Sequence, residues 1–154
     1  MMDKVEHIIS HAEQYCKNNG TRLTLKRKQV LSALVCSTKA LSAYDLIDLC
    51  EQSYGEKIAA MSVYRILDFL VQINLVHKLK LANKYVACSH ISCDHAHRVA
   101  QFLICDACYQ VKEIQVNSTL MAELKNNVEY AGFQLVSPQL EINCICDQCA
   151  LTTS

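Results

Sequence analysis

Apolar positions recur at helical spacing through the first seventy residues. Val5, Ile8, Ile9, Ala12, Tyr15 and Cys16 fall three and four apart, and Gly20 ends that run. Thr24 is placed to cap a second helix whose apolar face is Leu31, Leu34 and Val35. Ser42 caps a third, with Leu46, Ile47, Leu49 and Cys50 facing inward. A fourth opens at Ser62 or just before it and carries Val63, Ile66, Leu67, Leu70 and Val71. The period then changes to two. Leu75–Leu81 and Lys84–Cys88, joined by Ala82-Asn83, predict a β-hairpin.

Helices followed by a hairpin form a winged helix-turn-helix pattern, although periodicity alone would serve an ordinary small helical domain equally well. Two details favour a DNA reader. Arg22, Lys26, Arg27 and Lys28 cluster at the start of the second helix, where they can meet phosphates. Tyr64 and Arg65 are expected in the first turn of the helix at 62–73, the end that normally reaches base edges, and arginine suits bidentate contact with guanine.

The second half changes character. Residues 89–98, SHISCDHAHR, are polar and rich in His and Cys and read as a link or metal loop. Strands are expected at Ala100–Cys105 and Gln110–Gln115, then a helix capped by Ser118 and running to about Ala131, with Leu120, Leu124 and Val128 on one side and Gly132 at its end. A long strand, Phe133–Cys144, is interrupted by Pro138, which suggests an edge strand or a bend. The fold class is therefore α+β. The winged-helix domain takes residues 1–88, a hinge or metal loop 89–98, and a small α/β domain 99–154.

Charge adds little. Residues 1–80 hold eleven Lys and Arg against eight Asp and Glu, and residues 81–154 hold four against seven. That split permits nucleic-acid binding by the first half without demanding it. No apolar run is long enough to span a membrane, and the first residues lack the apolar core of a secretory signal, so a cytoplasmic location is expected.

The ten cysteines change the picture most. Without an export signal they read as thiols or metal ligands rather than disulfides. Cys16, Cys36 and Cys50 fall in helical patterns among aliphatic residues and are expected to pack as small hydrophobes. Cys105-x-x-Cys108 and Cys146-x-x-Cys149 each adjoin a strand. One such pair is a weak signal, shared with redox enzymes and iron–sulfur proteins. Two pairs supply the four thiolates of a closed tetrahedral zinc site, which leaves no open position and is therefore structural.

A second site is indicated by the density of ligands from His77 to His97. His77 lies on the first wing strand and Cys88 ends the second; His90, Cys93, His95 and His97 follow in the loop, and Glu113 lies on the next strand. A site drawn from His77, Cys88, His97 and Glu113 would link the two halves of the chain, so that metal could switch a binding surface. A thiolate in such a mixed set favours zinc over iron(II) or manganese. His7 and His11 on the first helix read as solvated. Neither H-E-x-x-H nor H-x-E with P-C-x-x-C is present, which removes the common zinc-hydrolase and zinc-deaminase signatures.

Several stretches in order resemble the ferric uptake regulator family, and most closely its zinc-responsive branch. They are Arg22-Leu-Thr to Val30-Leu31, Leu41-Ser-Ala-Tyr44-Asp-Leu, Ser62-Val-Tyr-Arg65 with Leu67-Asp-Phe, Val76-His77-Lys, Tyr85-Val-Ala-Cys88, Phe102 through Cys108 with Val111-Lys-Glu113, and Cys146-x-x-Cys149. The resemblance implies a repressor of zinc-uptake genes that is not an enzyme. It acts as a homodimer whose metal loading closes it onto AT-rich palindromic double-stranded DNA, with two zinc ions per subunit, one structural and one regulatory. It assigns Cys105, Cys108, Cys146 and Cys149 to the structural ion, His77, Cys88 and Glu113 to the regulatory ion, and Tyr44 and Arg65 to the base-contacting surface. An iron or peroxide sensor is the alternative within the family, and Cys88 argues against it.

The chain departs from the family pattern in three places. Leu25 follows Thr24 where proline is common. Arg98 stands where the sensing histidine usually precedes the first knuckle cysteine, which leaves His97 as the ligand by a one-residue insertion, or His95, Cys93 or His90 in its place. Cys144 stands where relatives tend to have glycine and is expected to be a packed thiol.

Overall fold

A computed structural model describes residues 2–89, 91, 100–136 and 139–152. The chain divides into two compact units, Met1–His95 and Ala96–Ser154.

The first unit contains α1 (Met2–Asn18), α2 (Leu25–Cys36), α3 (Ala43–Tyr54), α4 (Ala60–Gln72), β1 (Val76–Leu79) and β2 (Lys84–Ala87). Its helix starts follow capping chemistry. The Thr24 side chain accepts from the Arg27 N–H at 3.4 Å. Ser42 and Asp45 form a reciprocal capping box, with bonds of 3.1 and 2.9 Å. Helices α2, α3 and α4 pack on one another and bury Val30, Leu31, Leu46, Val63, Leu67 and Leu70, with Ala12 and Cys16 of α1 closing the core. Each aliphatic side chain so buried contributes about 1.5–3 kcal/mol.

The wing is shorter than its sequence pattern suggests. β1 and β2 pair antiparallel from Val76↔Ala87 to Leu79↔Lys84. Their connection is a four-residue turn, residues 80–83, closed by Asn83 at φ 51°. Leu41, between α2 and α3, adds a bridge to Tyr85 through bonds of 3.0 and 2.8 Å, which fastens the hairpin to the helices. The unit is a winged helix.

The second unit contains β3 (Ala100–Cys105), β4 (Val111–Gln115), α5 (Ser118–Tyr130), β5 (Leu140–Cys144) and α6 (Asp147–Thr152). The sheet order is β4-β3-β5, with β4 antiparallel and β5 parallel to the central strand. Helix α5 is capped by Asn117, whose side chain accepts from the Thr119 N–H at 2.8 Å, rather than by Ser118. The expected strand from Phe133 is reduced to Leu140–Cys144 at the sheet edge; Pro138 lies outside the described residues. The core here is slight. Phe102, Ile104 and Cys105 are its buried hydrophobic residues among those described, and α5 buries none. Leu124 and Val128 are half-buried and Leu120 is exposed.

Two cysteine expectations are met and one is corrected. Cys16 and Cys50 are fully buried, and burial pushes both thiols up from their ordinary acidity. Cys36 is exposed, because it is the last residue of α2 and falls beyond the packed face. Among the described residues no helix is long and apolar enough to cross a membrane.

Candidate metal centre and nucleic-acid surface

Parallel pairing of β3 with β5 brings the two cysteine pairs together. Cys105 lies opposite Cys144 in the register, so the residues just past both strand ends stand side by side. Asp106 N–H donates to the Cys144 carbonyl at 2.8 Å and extends the ladder into the first turn. That turn closes with the Tyr109 N–H on the Cys105 carbonyl at 2.9 Å and Tyr109 itself at φ 63°. The left-handed region is uncommon for a residue other than glycine and here reverses the chain after Cys108. On the other side, Cys146 precedes α6 and Cys149 lies within it, with Ala150 N–H on the Cys146 carbonyl at 2.9 Å.

The four sulfurs all lie within 4.8 Å of one another. A regular tetrahedron with metal–sulfur bonds of about 2.3 Å has edges of about 3.8 Å, and Cys108 Sγ to Cys146 Sγ is 3.8 Å. The donor set and its spacing fit zinc.

The sulfurs differ in acidity. The Cys146 N–H, at 3.4 Å, donates to Cys105 Sγ. With the N–H groups of Cys108 and Ala107 it stabilises the thiolate and lowers Cys105 to about 6. Hydrogen bonding of its thiol with the sulfurs of Cys146, Cys108 and Cys105 pushes Cys149 up to about 12. Zinc entry must displace thiol protons, that of Cys149 among them. Apparent zinc affinity is expected to fall as pH falls, most steeply below about 6 where Cys105 takes up a proton as well. Chelator competition across this range, with thiolate absorbance of the stripped protein, checks both values. An affinity independent of pH would contradict the assignment.

A second pair of candidate ligands stands on the wing. Cys88 N–H donates to the Leu75 carbonyl at 2.9 Å, so the hairpin ladder runs one residue past β2. Leu75 and His77 share a face of their strand, which makes Cys88 the diagonal neighbour of His77 on that face. Their ligand atoms lie within 4.8 Å; Cys88 is buried and His77 half-buried. Glu113 is on β4 of the second unit, half-buried, opposite Phe102 in the ladder. His90, Cys93, His95 and His97 lie outside the described residues. Cys144, expected as a packed thiol, is half-buried with its Sγ 3.6 Å from the Ile142 carbonyl.

The helical surface of the first unit carries the expected DNA-facing residues. Tyr44 is 66% exposed in the first turn of α3, and Tyr64 and Arg65 lie outward on α4. Because α4 opens at Ala60, with Ala59 at its cap position, Tyr64 and Arg65 stand in its second turn rather than its first.

The basic cluster is divided. Arg22 and Lys26 are exposed. Arg27 is half-buried, its guanidinium 3.6 Å over the Phe69 ring and its Nη1 donating to the Arg22 carbonyl at 2.6 Å. Lys28 pairs with Glu13 at 2.9 Å and holds that carboxyl below its usual range. Arg27 thus braces α2 against α4, and Lys28 ties α2 to α1. Sequence spacing could not reveal these roles, since the partners Phe69 and Glu13 are remote in the chain.

Residues 18–143 match the model of the ferric uptake regulator family. The chain belongs to that family. It is 34% identical over 150 residues to the zinc uptake regulation protein of Escherichia coli (strain K12), covering 94% of this chain and 82% of that protein. It is 31% identical over 132 residues to the ferric uptake regulation protein of Synechocystis sp., covering 84% and 77%. A solved structure of a zinc uptake regulator complexed with zinc and DNA aligns with a TM-score of 0.81 at 30% identity, covering 97% of each chain.

Proposed function

We propose that this chain is a zinc-responsive transcriptional repressor, not an enzyme, that binds operator DNA as a zinc-loaded homodimer and represses zinc-uptake genes. Relatives named for zinc and for iron both match it, so overall identity does not choose the metal. The observation that does is the pairing of a buried thiol, Cys88, with the His77 imidazole. A thiolate and an imidazole favour zinc over iron(II) or manganese, and the solved zinc- and DNA-bound relative supports the same choice.

Two zinc ions per chain follow from this reading. Cys105, Cys108, Cys146 and Cys149 hold the structural ion. His77, Cys88 and Glu113 hold the regulatory one, with a residue of the 89–98 hinge as fourth ligand: His97, or His95, with Cys93 and His90 as further candidates. The winged helix takes residues 1–88 and the dimerisation domain 99–154. Arg65, Tyr64 and Tyr44 face bases, and Arg22 and Lys26 face phosphates. Arg27, beside them, braces α2 against α4 and stands with Arg22 and Lys26 at the phosphate-facing end of α2. Phe133, Val136, Ile142 and Leu151 leave apolar surface exposed on the second unit, which a second copy of the chain would cover. An AT-rich palindrome matches a two-fold dimer, and the cytoplasm is where such a repressor acts.

Operator affinity measured at fixed salt tests the metal. Zinc is expected to raise it about 5- to 150-fold, the range of ordinary allosteric coupling. An equal response to iron(II) would make the chain an iron or peroxide sensor instead.

A further inference from the structure

Recognition helices present their first turn to base edges. In α4 that turn begins at Ala60, and its outward large side chain is Met61, 68% exposed. Met61 stands three and four residues before Tyr64 and Arg65, so the three share one helical face. The opposite face is used up by Val63, Ile66, Leu67 and Leu70, which are buried. Neighbours of Met61 are small: Ala59, Ala60 and Ser62.

An unbranched thioether offers no hydrogen-bond donor and only a weak acceptor. It cannot reproduce the guanine contact open to Arg65. Its chemical complement in the major groove is the one apolar group there, the C5-methyl of thymine. Methionine also adapts its shape to such a contact at low strain.

We propose that Met61 is a specificity-determining residue that packs on a thymine methyl group in each half-site. The inference rests on DNA binding by α4 as proposed above. It adds an apolar reading head one turn ahead of Arg65, and it gives the exposed methionine a reason.

The test starts from duplexes selected out of a random-sequence pool by the zinc-loaded protein. Each thymine of the selected site is then replaced by uracil, which removes only the C5-methyl. At one position per half-site the wild-type protein is expected to lose about fourfold in affinity, the size of burying one methyl group. Met61→Ala should bind the thymine and uracil duplexes alike at that position. Its exposure keeps the substitution from disturbing the fold, which circular dichroism verifies. Identical uracil penalties in wild type and Met61→Ala at every position would overturn the proposal while leaving DNA binding intact. Failure of the wild-type protein to select any sequence would overturn both.

Discussion

Cys146→Ser is expected to remove the structural zinc and unfold the second unit while leaving the winged helix intact. The reason is the imbalance between the two cores. The first unit buries a continuous cluster from Ala12 to Tyr85. Among the described residues the second buries the hydrophobic side chains of Phe102, Ile104 and Cys105, and α5 adds no buried residue. A unit with so little apolar burial does not offset its own chain entropy. A four-thiolate zinc contributes about 10–16 kcal/mol at neutral pH in small zinc-bound peptides, as much as the whole stability of an ordinary domain, about 5–15 kcal/mol. Serine at position 146 removes a strong ligand and also the Cys108–Cys146 contact at 3.8 Å. Bound zinc, protease resistance and sedimentation should report it together: the structural equivalent lost and regulatory zinc weakened with Glu113, cleavage after residue 99, and a monomer. A variant that keeps its zinc and a protected second unit would show that the four cysteines are no clasp.

Much of this was legible in the sequence because the signals were local. The two C-x-x-C pairs are each written in four residues, one as a turn and one as the start of α6, and the side chains of Thr24 and Ser42 cap the helices they precede. Where local chemistry was ambiguous, boundaries moved. Helix α4 has no side-chain cap at Ala59, so the sequence offered Ser62 as the start and placed Arg65 a turn too early. Asn117 and Ser118 can both cap, and Asn117 prevails.

What stayed hidden was non-local. Nothing in the spacing announces that β5 runs parallel to β3, yet that pairing alone sets Cys105 beside Cys144 and brings the second cysteine pair to the first. The internal contacts of the basic cluster were hidden for the same cause. Arg27 packs on Phe69 and Lys28 pairs with Glu13, partners forty-two and fifteen residues away. Such pairings decide which charges remain for a ligand.

Cys88→Ser is expected to abolish the zinc dependence of DNA binding while one zinc per chain remains bound. The two metal sets share no residue, so removing the wing thiol leaves Cys105, Cys108, Cys146 and Cys149 untouched. Serine is close to cysteine in size, and burying a hydroxyl in place of a thiol costs about 1–3 kcal/mol when its hydrogen bond is imperfect. The first unit's core absorbs that cost without unfolding. The hydroxyl does not replace the thiolate as a soft ligand, so the metal no longer favours one state of the protein over the other. A ligand with no differential affinity shifts no equilibrium. Operator affinity with zinc should therefore fall to the metal-free level, a loss of about 5- to 150-fold. Basal, salt-dependent binding through Arg22 and Lys26 should persist. If Cys88→Ser lost both zinc ions, the sets would not be independent. If it kept the full zinc response, sensing would belong to the four cysteines, and Cys88 would be one more packed thiol like Cys16 and Cys50.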